Sequence, residues 1–366
     1  MRIHLAFDAF KGTLSAAEAC RAVALGLAEA QPAGVLLSWP LADGGEGTAR
    51  RLAALAAAPW RSRTVTGPLP NRPARAGFAL DQRRSLAWLD AASACGLPLL
   101  APAERDPRLT TSRGVGELLE AARLAGATAL RVGIGGTATV DGGCGAATAL
   151  GWRFLDAFGS PLPPGGAALR RLARIVPPRP RPTMAIEALC DVENPLDGAN
   201  GAAAVFAPQK GADPATVEVL REALENLATR AREDLGLDLR GKARDGAGGG
   251  LGAGLRAFFG ARLVAGAEAV LNASGLPAAM APGDWVITGE GRLDETSFAG
   301  KVVGTVSELA RRRGARLAYL VGTVEGDWVP PDDRLWEAAG AVRNQPFDDL
   351  REAARRLGHR LSSQAS

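Results

Sequence analysis

Residues 130–145 constrain this chain more than any other stretch. Leu130–Ile134 is a short, mostly apolar run, the length of a buried strand rather than of a helix. It breaks into two glycine pairs, Gly135-Gly136 and Gly142-Gly143, with Thr137, Thr139 and Asp141 between them, and a helical pattern follows Gly145. A strand that turns through glycine into a helix presents unpaired N–H groups where the helix dipole is positive, which is a seat for phosphate. The same design also serves as the tight turn that any α/β sheet needs. It matches neither standard nucleotide-binding glycine fingerprint.

The pattern recurs along the chain. Ile3–Phe7 runs into Asp8 and Lys11, and then a helix over 16–30 opens with Ser15 and Glu18 at the capping-box spacing. Val35–Trp39 runs into Asp43, Gly44, Gly45 and Glu46, with a helix over 49–58. Met184–Leu189 ends at Asp191 and Asn194, and Lys210 follows in a Pro-Gln-Lys-Gly turn. Trp285–Thr288 ends in a loop carrying Glu290, Arg292, Asp294 and Lys301 before a helix over 302–311. Open α/β sheets take their ligands at such carboxyl ends of strands. A last strand over 315–321 and a closing helix over 351–361 complete the periodic elements, and 216–235 is the clearest amphipathic helix. The Pro-rich stretches 64–75 and 277–283 suit crossings between domains, and 245–254 suits either a second phosphate loop or a flexible lid.

Composition narrows the function. At 366 residues the chain has room for about two domains, and 47% hydrophobic content can bury a sizeable core. The net charge of +4 comes from scattered arginine, which suits an anionic small substrate better than nucleic acid. Four separated cysteines with no Cys-x-x-Cys pair, and only His4 and His359, argue against zinc and for free thiols in a reducing cytosol. Asp8 and Lys11 stand where a signal peptide needs an apolar run, and no stretch approaches transmembrane length, so a cytoplasmic protein without membrane contact is expected.

Carboxylate, cation and glycine together are what phosphoryl transfer needs: oxygen ligands for Mg²⁺, positive charge on the transferred group, N–H donors to position it, and a base for the acceptor hydroxyl. With neither histidine in a triad context, nucleophilic hydrolysis is a poorer match. The blocks DAFKGTLSA (8–16), PLADGGEGT (40–48), GIGGTATVDGGCG (133–145), CDVENPLDG (190–198), VFAPQKGA (205–212) and ITGEGRLDETSFAGK (287–301) resemble, in order and over nearly the whole chain, the signature blocks of the bacterial type I glycerate kinases.

The resemblance implies ATP-dependent phosphorylation of D-glycerate, usually at the 2-hydroxyl, to give 2-phosphoglycerate and ADP with Mg²⁺. It implies two α/β domains, one assembled from both chain ends (1–66 plus 283–366) and one inserted Rossmann- or flavodoxin-like domain (67–282), with the active site in the cleft between them. On this basis Asp191 is expected as the base or its close neighbour, and Lys11, Lys210 and Arg292 as the other catalytic residues, binding phosphate or carboxylate, with Arg292 suited to the glycerate carboxylate. Asp8, Gly44, Gly45, Gly135, Gly136, Thr137, Asp141, Asn194, Glu290 and Lys301 are expected around phosphate and substrate. Asp43, Glu46 and Asp294 are the metal candidates. A monomer or a homodimer is expected. Departures are Ala9 and Thr137 at usual serines, Val140 at a usual asparagine, and Glu295 where glutamine is common. A kinase for a related sugar acid, or a silent nucleotide-binding protein, are the alternatives.

Overall fold

Ile3, Leu5 and Phe7 face one side of the first strand, Arg2–Phe7, and His4 and Ala6 face the other; all five are buried. A strand buried on both faces belongs inside a parallel sheet covered by helices. The computed structural model describes residues 2–10, 12–30, 34–293, 295–298, 300–324, 335–338 and 345–363. In it Arg2–Phe7 lies between Val35–Pro40 and Trp285–Gly289, parallel to both. Arg316–Val321 and then Leu335–Ala338 extend the sheet beyond Trp285–Gly289, again parallel. Counted in chain order within this sheet, the strands run 2-1-3-4-5, the doubly wound order whose reversal falls between the first and third strands.

Helices Ala16–Ala30 and Pro346–Ser363 cover one face of this sheet. Ser15 and Glu18 close the predicted capping box: Ser15 N donates to Glu18 Oε2 (2.9 Å), and Glu18 N donates to Ser15 Oγ (3.3 Å). The two helices meet through glycine. A Cβ on Gly26 would stand 2.0 Å from Arg351 O, and one on Gly358 would stand 2.5 Å from the Ala30 Cβ. His4 is a packed group, accepting from Trp39 Nε1 at Nδ1 (3.0 Å) with Nε2 3.3 Å from Asp284 Oδ2.

The second sheet is mixed. Trp60–Thr66, Pro73–Asp81 and Leu86–Asp90 form an antiparallel meander. Leu86–Asp90, Ala129–Gly133 and Ala185–Cys190 are parallel neighbours, and Arg262–Ala265 closes the far edge. Helices Arg113–Leu124, Pro214–Leu235 and Ala247–Phe259 build its core, with Leu118, Leu224, Leu227 and Leu251 buried alongside Val132 and Phe78.

The chain forms two compact units, one from 1–43 and 265–366, the other from 44–264. The expected boundaries near 66 and 283 therefore move. Trp60–Thr66 pairs along its length with Pro73–Asp81, so the Pro-rich 64–75 stretch is a hairpin, not a crossing. Pro277 does not break the chain either: it occupies the first turn of the short helix Leu276–Ala279, where its missing N–H costs nothing. The flavodoxin-like strand order belongs to the chain-end unit, whereas the inserted unit carries the mixed sheet. The helix after the opening loop is short, Cys144–Ala149, because Gly151 turns at φ 89° and Trp152 drops into the core.

Candidate functional site

In the chain-end unit, Phe7 lies opposite both Pro40 and Gly289, so Asp8, Leu41 and Glu290 leave the sheet side by side. This is the reversal of strand order, where ligands of open α/β sheets bind. Asp8 is half-buried and accepts from Ala9 N (2.7 Å). Glu290 is half-buried, and its carbonyl accepts from Gly322 N (3.0 Å), tying two strand-end loops together. Arg292 is exposed, Asp43 is buried, and Lys301 stands half-buried just before helix Val302–Arg313. Lys11 and Asp294 lie outside the described residues.

In the other unit the turn 44–47 lies across three parallel strand ends. Gly44, at φ 103°, leaves so little room that a Cβ would sit 2.9 Å from Leu189 O and Cys190 N. Its carbonyl accepts from Gly135 N (3.3 Å), and a Cβ on Gly135 would stand 2.9 Å from the Gly45 Cα. Backbone-to-backbone packing of this kind requires glycine on both partners. Asp90, at the end of strand Leu86–Asp90, is buried; Oδ2 accepts from Gly47 N (3.0 Å) and Oδ1 from Ala49 N (2.9 Å). Burial pushes the Asp90 carboxyl up to about 7, against the pull of these two N–H groups. Glu46 is exposed on the same turn.

The 135–145 loop is braced from two directions. Lys210 is 3% exposed and reaches up from the 208–210 turn, donating to Thr139 O (2.8 Å), with Thr137 Oγ1 at 3.4 Å. Lys210 forms no ion pair among the described residues, and burial pushes its ammonium down to about 8. Asp141 is also buried, and its carboxylate is closed by donors: Ser112 N (2.8 Å), Ser112 Oγ (2.9 Å), Gly145 N (3.2 Å) and Gly143 N (3.1 Å). An anion enclosed in this way cannot bind another anion, so Asp141 is a brace of the loop and not a phosphate ligand. Burial raises its carboxyl, and the four donors offset that in part.

The second glycine pair and the glycine-rich stretch after Asp245 also serve packing. Gly142 N donates to Gly249 O (3.2 Å), and Gly248, Gly249 and Gly250 adopt left-handed φ inside the buried helix Ala247–Phe259. A Cβ on Gly249 would meet Thr139 O at 1.8 Å. The stretch is neither cradle nor lid but a wedge under the loop. Gly136 is the exposed member of the first pair, at φ 73°. Val140 is fully buried in the core, which accounts for an apolar residue there.

Asp191 follows strand Ala185–Cys190 and is half-buried. Asn194 pins its own loop, donating from Nδ2 to Asn200 O (2.9 Å) while its carbonyl accepts from Gly246 N (2.9 Å). Among the described residues, no three His, Cys, Asp or Glu side chains gather as a metal cage. Mg²⁺ carried by phosphates needs only one or two carboxylates and not an all-protein cage. Two groups escaped the sequence reading. Asp90 had a signal, a carboxylate closing an apolar run like Asp8 and Asp191. Ser112, the partner of Asp141, had none, since nothing local links residues so far apart in the chain.

In each unit, parallel strands run at their carboxyl ends into loops with half-buried carboxylates, the ends at which open α/β sheets take small ligands. The profile of the glycerate kinase family matches residues 3–366. The chain is 40% identical over 331 residues to the glycerate kinase of Bacillus subtilis (strain 168), covering 89% of this chain and 86% of that one. It is 39% identical over 331 residues to the glycerate 2-kinase of Escherichia coli (strain K12), with the same coverage of 89% and 86%. A crystal structure of a protein assigned as glycerate kinase 2 from Salmonella typhimurium LT2 superposes with a TM-score of 0.83 at 38% identity, over 100% of this chain and 99% of that one. The chain belongs to the glycerate kinase family.

Proposed function

We propose that this protein is an ATP-dependent kinase that phosphorylates D-glycerate at the 2-hydroxyl, giving 2-phosphoglycerate and ADP. The observation that carries the reading is the match to a glycerate 2-kinase over 89% of the chain. Lys210 supports it as a buried ammonium beside Thr137 that forms no ion pair among the described residues and feels the Asp141 carboxylate only through space. A desolvated cation of this kind stabilises charge on a transferred phosphoryl group far more than an exposed one does.

The roles follow from chemistry. The γ-phosphorus–oxygen bond to ADP breaks as the glycerate hydroxyl oxygen bonds to phosphorus, and the hydroxyl proton goes to Asp191. Lys210, with Lys11, holds phosphate oxygens, and Gly136 and Thr137 position them. Arg292 takes the glycerate carboxylate, and Asp8, Glu290 and Lys301 orient the substrate. Mg²⁺, when bound, neutralises the phosphates; Asp43, Glu46 and Asp294 are the carboxylates available to hold it. Such an enzyme works in the cytoplasm as a monomer or homodimer. No described helix is long and apolar enough to cross a membrane.

The test is a coupled assay of purified protein with ATP, Mg²⁺ and a panel of hydroxy acids, with NMR of the product to locate the phosphate. D-Glycerate is expected to be turned over fastest and to carry phosphate at C2. Absence of ADP release above background sinks the reading. Asp191→Asn is expected to lower kcat by about 10³-fold or more with a smaller change in KM.

A further inference from the structure

We propose that Asp90 is the positioning residue of the candidate site: its carboxylate fills, from within, the anion seat at the start of helix Thr48–Leu55, and so locks the 44–47 turn to the strand ends before any ligand arrives. The inference rests on the proposed kinase reading for its functional half only. The first N–H groups of a helix attract anions. Here Gly47 N and Ala49 N, two donors at that helix start, already point at Asp90 oxygens at 3.0 and 2.9 Å. A third donor nearby, Gly44 N, goes to Thr48 Oγ1 (3.1 Å). These donors of the helix terminus are therefore taken before any phosphate arrives.

Asp90 also joins the two glycine loops mechanically. On its far side, a Cβ placed on Gly133 would stand 2.5 Å from Asp90 Oδ1. Gly133 leads directly into Gly135, whose N–H holds Gly44 O at 3.3 Å. Carboxylate, turn and loop thus form a closed ring, Asp90 to Gly47 and Ala49, Gly44 to Gly135, and back through Gly133. Removing the carboxylate leaves one buried and one half-buried N–H group without acceptors and releases both loops together. Lengthening it to glutamate drives the carboxylate toward Gly133, where only a glycine fits.

The experiment pairs amide hydrogen exchange with kinetics on the full chain. Asp90→Ala is expected to speed exchange at the Gly47 and Ala49 amides at least tenfold, while amides of helix Ala16–Ala30, in the other unit, keep their rates. Asp90→Asn keeps one carbonyl oxygen and is expected to lose protection at only one of the two amides. Gly133→Ala, whose Cβ would press hardest on the same carboxylate (2.5 Å) and more lightly on Gly44 O (3.0 Å) and Gly45 O (3.3 Å), is expected to reproduce the Asp90→Ala exchange pattern. In each variant KM for ATP or glycerate is expected to rise more than kcat falls, the mark of a loosened binding turn. Unchanged exchange at Gly47 and Ala49 in Asp90→Ala, or an equal loss of protection in both units, overturns the proposal. If the variants show the exchange pattern but the parent shows no glycerate-dependent ADP release, the kinase reading fails and the lock stands.

Discussion

Lys210 is the side chain whose environment says most about chemistry. A buried ammonium with a carbonyl and a hydroxyl for company is held at a cost, because neither partner carries a full negative charge. Burial brings it down to about 8 from 10.5, so the folded protein releases this proton at a lower pH than the unfolded chain does. Between those two values the unfolded state binds the extra proton, and folding stability rises with pH. The penalty is complete below pH 8 and is relieved as pH climbs toward 10.5. Lys210→Met removes the titration, so urea denaturation is expected to show the parent gaining on this variant between pH 8 and 10, by about 3 kcal/mol at most. The kinetic counterpart has the opposite sign. The charged form serves phosphate, so the parent's kcat/KM is expected to fall above pH about 8, whereas Lys210→Met is expected to be about 100-fold slower and to lack that limb. A variant that retained the limb would assign it to another group. Asp141, by contrast, is read best as structure. Asp141→Asn sets an amide NH₂ against N–H donors and is expected to lower stability by about 2–3 kcal/mol in thermal or urea melts.

At the scale of elements, the strands were the most legible part of the chain. Arg2–Phe7, Ala129–Gly133, Ala185–Cys190 and Trp285–Gly289 all lie within a residue or two of where apolar runs predict them, because the first and last are buried on both faces and the middle two along one face and at their carboxyl ends. The loops that follow them were legible as candidate site for the same reason. What the residues could not tell was whether a glycine faces a ligand or a neighbouring backbone. Gly136 and Gly249 look alike in sequence, yet one is exposed and the other lies against Thr139 O. That distinction depends on which elements meet in space, as does the pairing of Trp60–Thr66 with Pro73–Asp81 across a Pro-rich stretch. The wedge reading of the Ala247–Phe259 helix makes a prediction of its own. At Gly249 alanine would adopt φ near 70° and place its Cβ 1.8 Å from Thr139 O, so strain and overlap add. Gly249→Ala is expected to lose about 3 kcal/mol in urea denaturation and to weaken the loop that Lys210 holds. A loss under 1 kcal/mol would return the stretch to a loosely packed role.

At the scale of the whole molecule, a unit assembled from both ends of the chain depends on the last helix as much as on the first strand. Leu350, Ala353, Ala354, Leu357 and Leu361 of helix Pro346–Ser363 are fully buried, against Leu5, Phe7, Ile287 and Leu320 of the sheet. The three leucines alone contribute roughly 5–9 kcal/mol of burial, comparable with the 5–15 kcal/mol net stability of an ordinary domain. Gly26 and Gly358 let helices Ala16–Ala30 and Pro346–Ser363 pack so closely that a side chain at either position would force them apart. The inserted unit has its own core, built from residues between Val65 and Ala261. A chain ending at residue 345 is therefore expected to lose hydrogen-exchange protection over strand Arg2–Phe7 and helix Ala16–Ala30, and to be cut readily there by protease. A resistant fragment spanning about 44–264 is expected to remain. Such a chain keeps Asp191, Lys210 and the braced 135–145 loop but lacks an ordered Glu290 and Arg292, so it is expected to turn over no glycerate. Protection retained across Arg2–Phe7 would mean that the parallel sheet holds without its closing helix, and that the chain-end unit is more tolerant than its buried leucines imply.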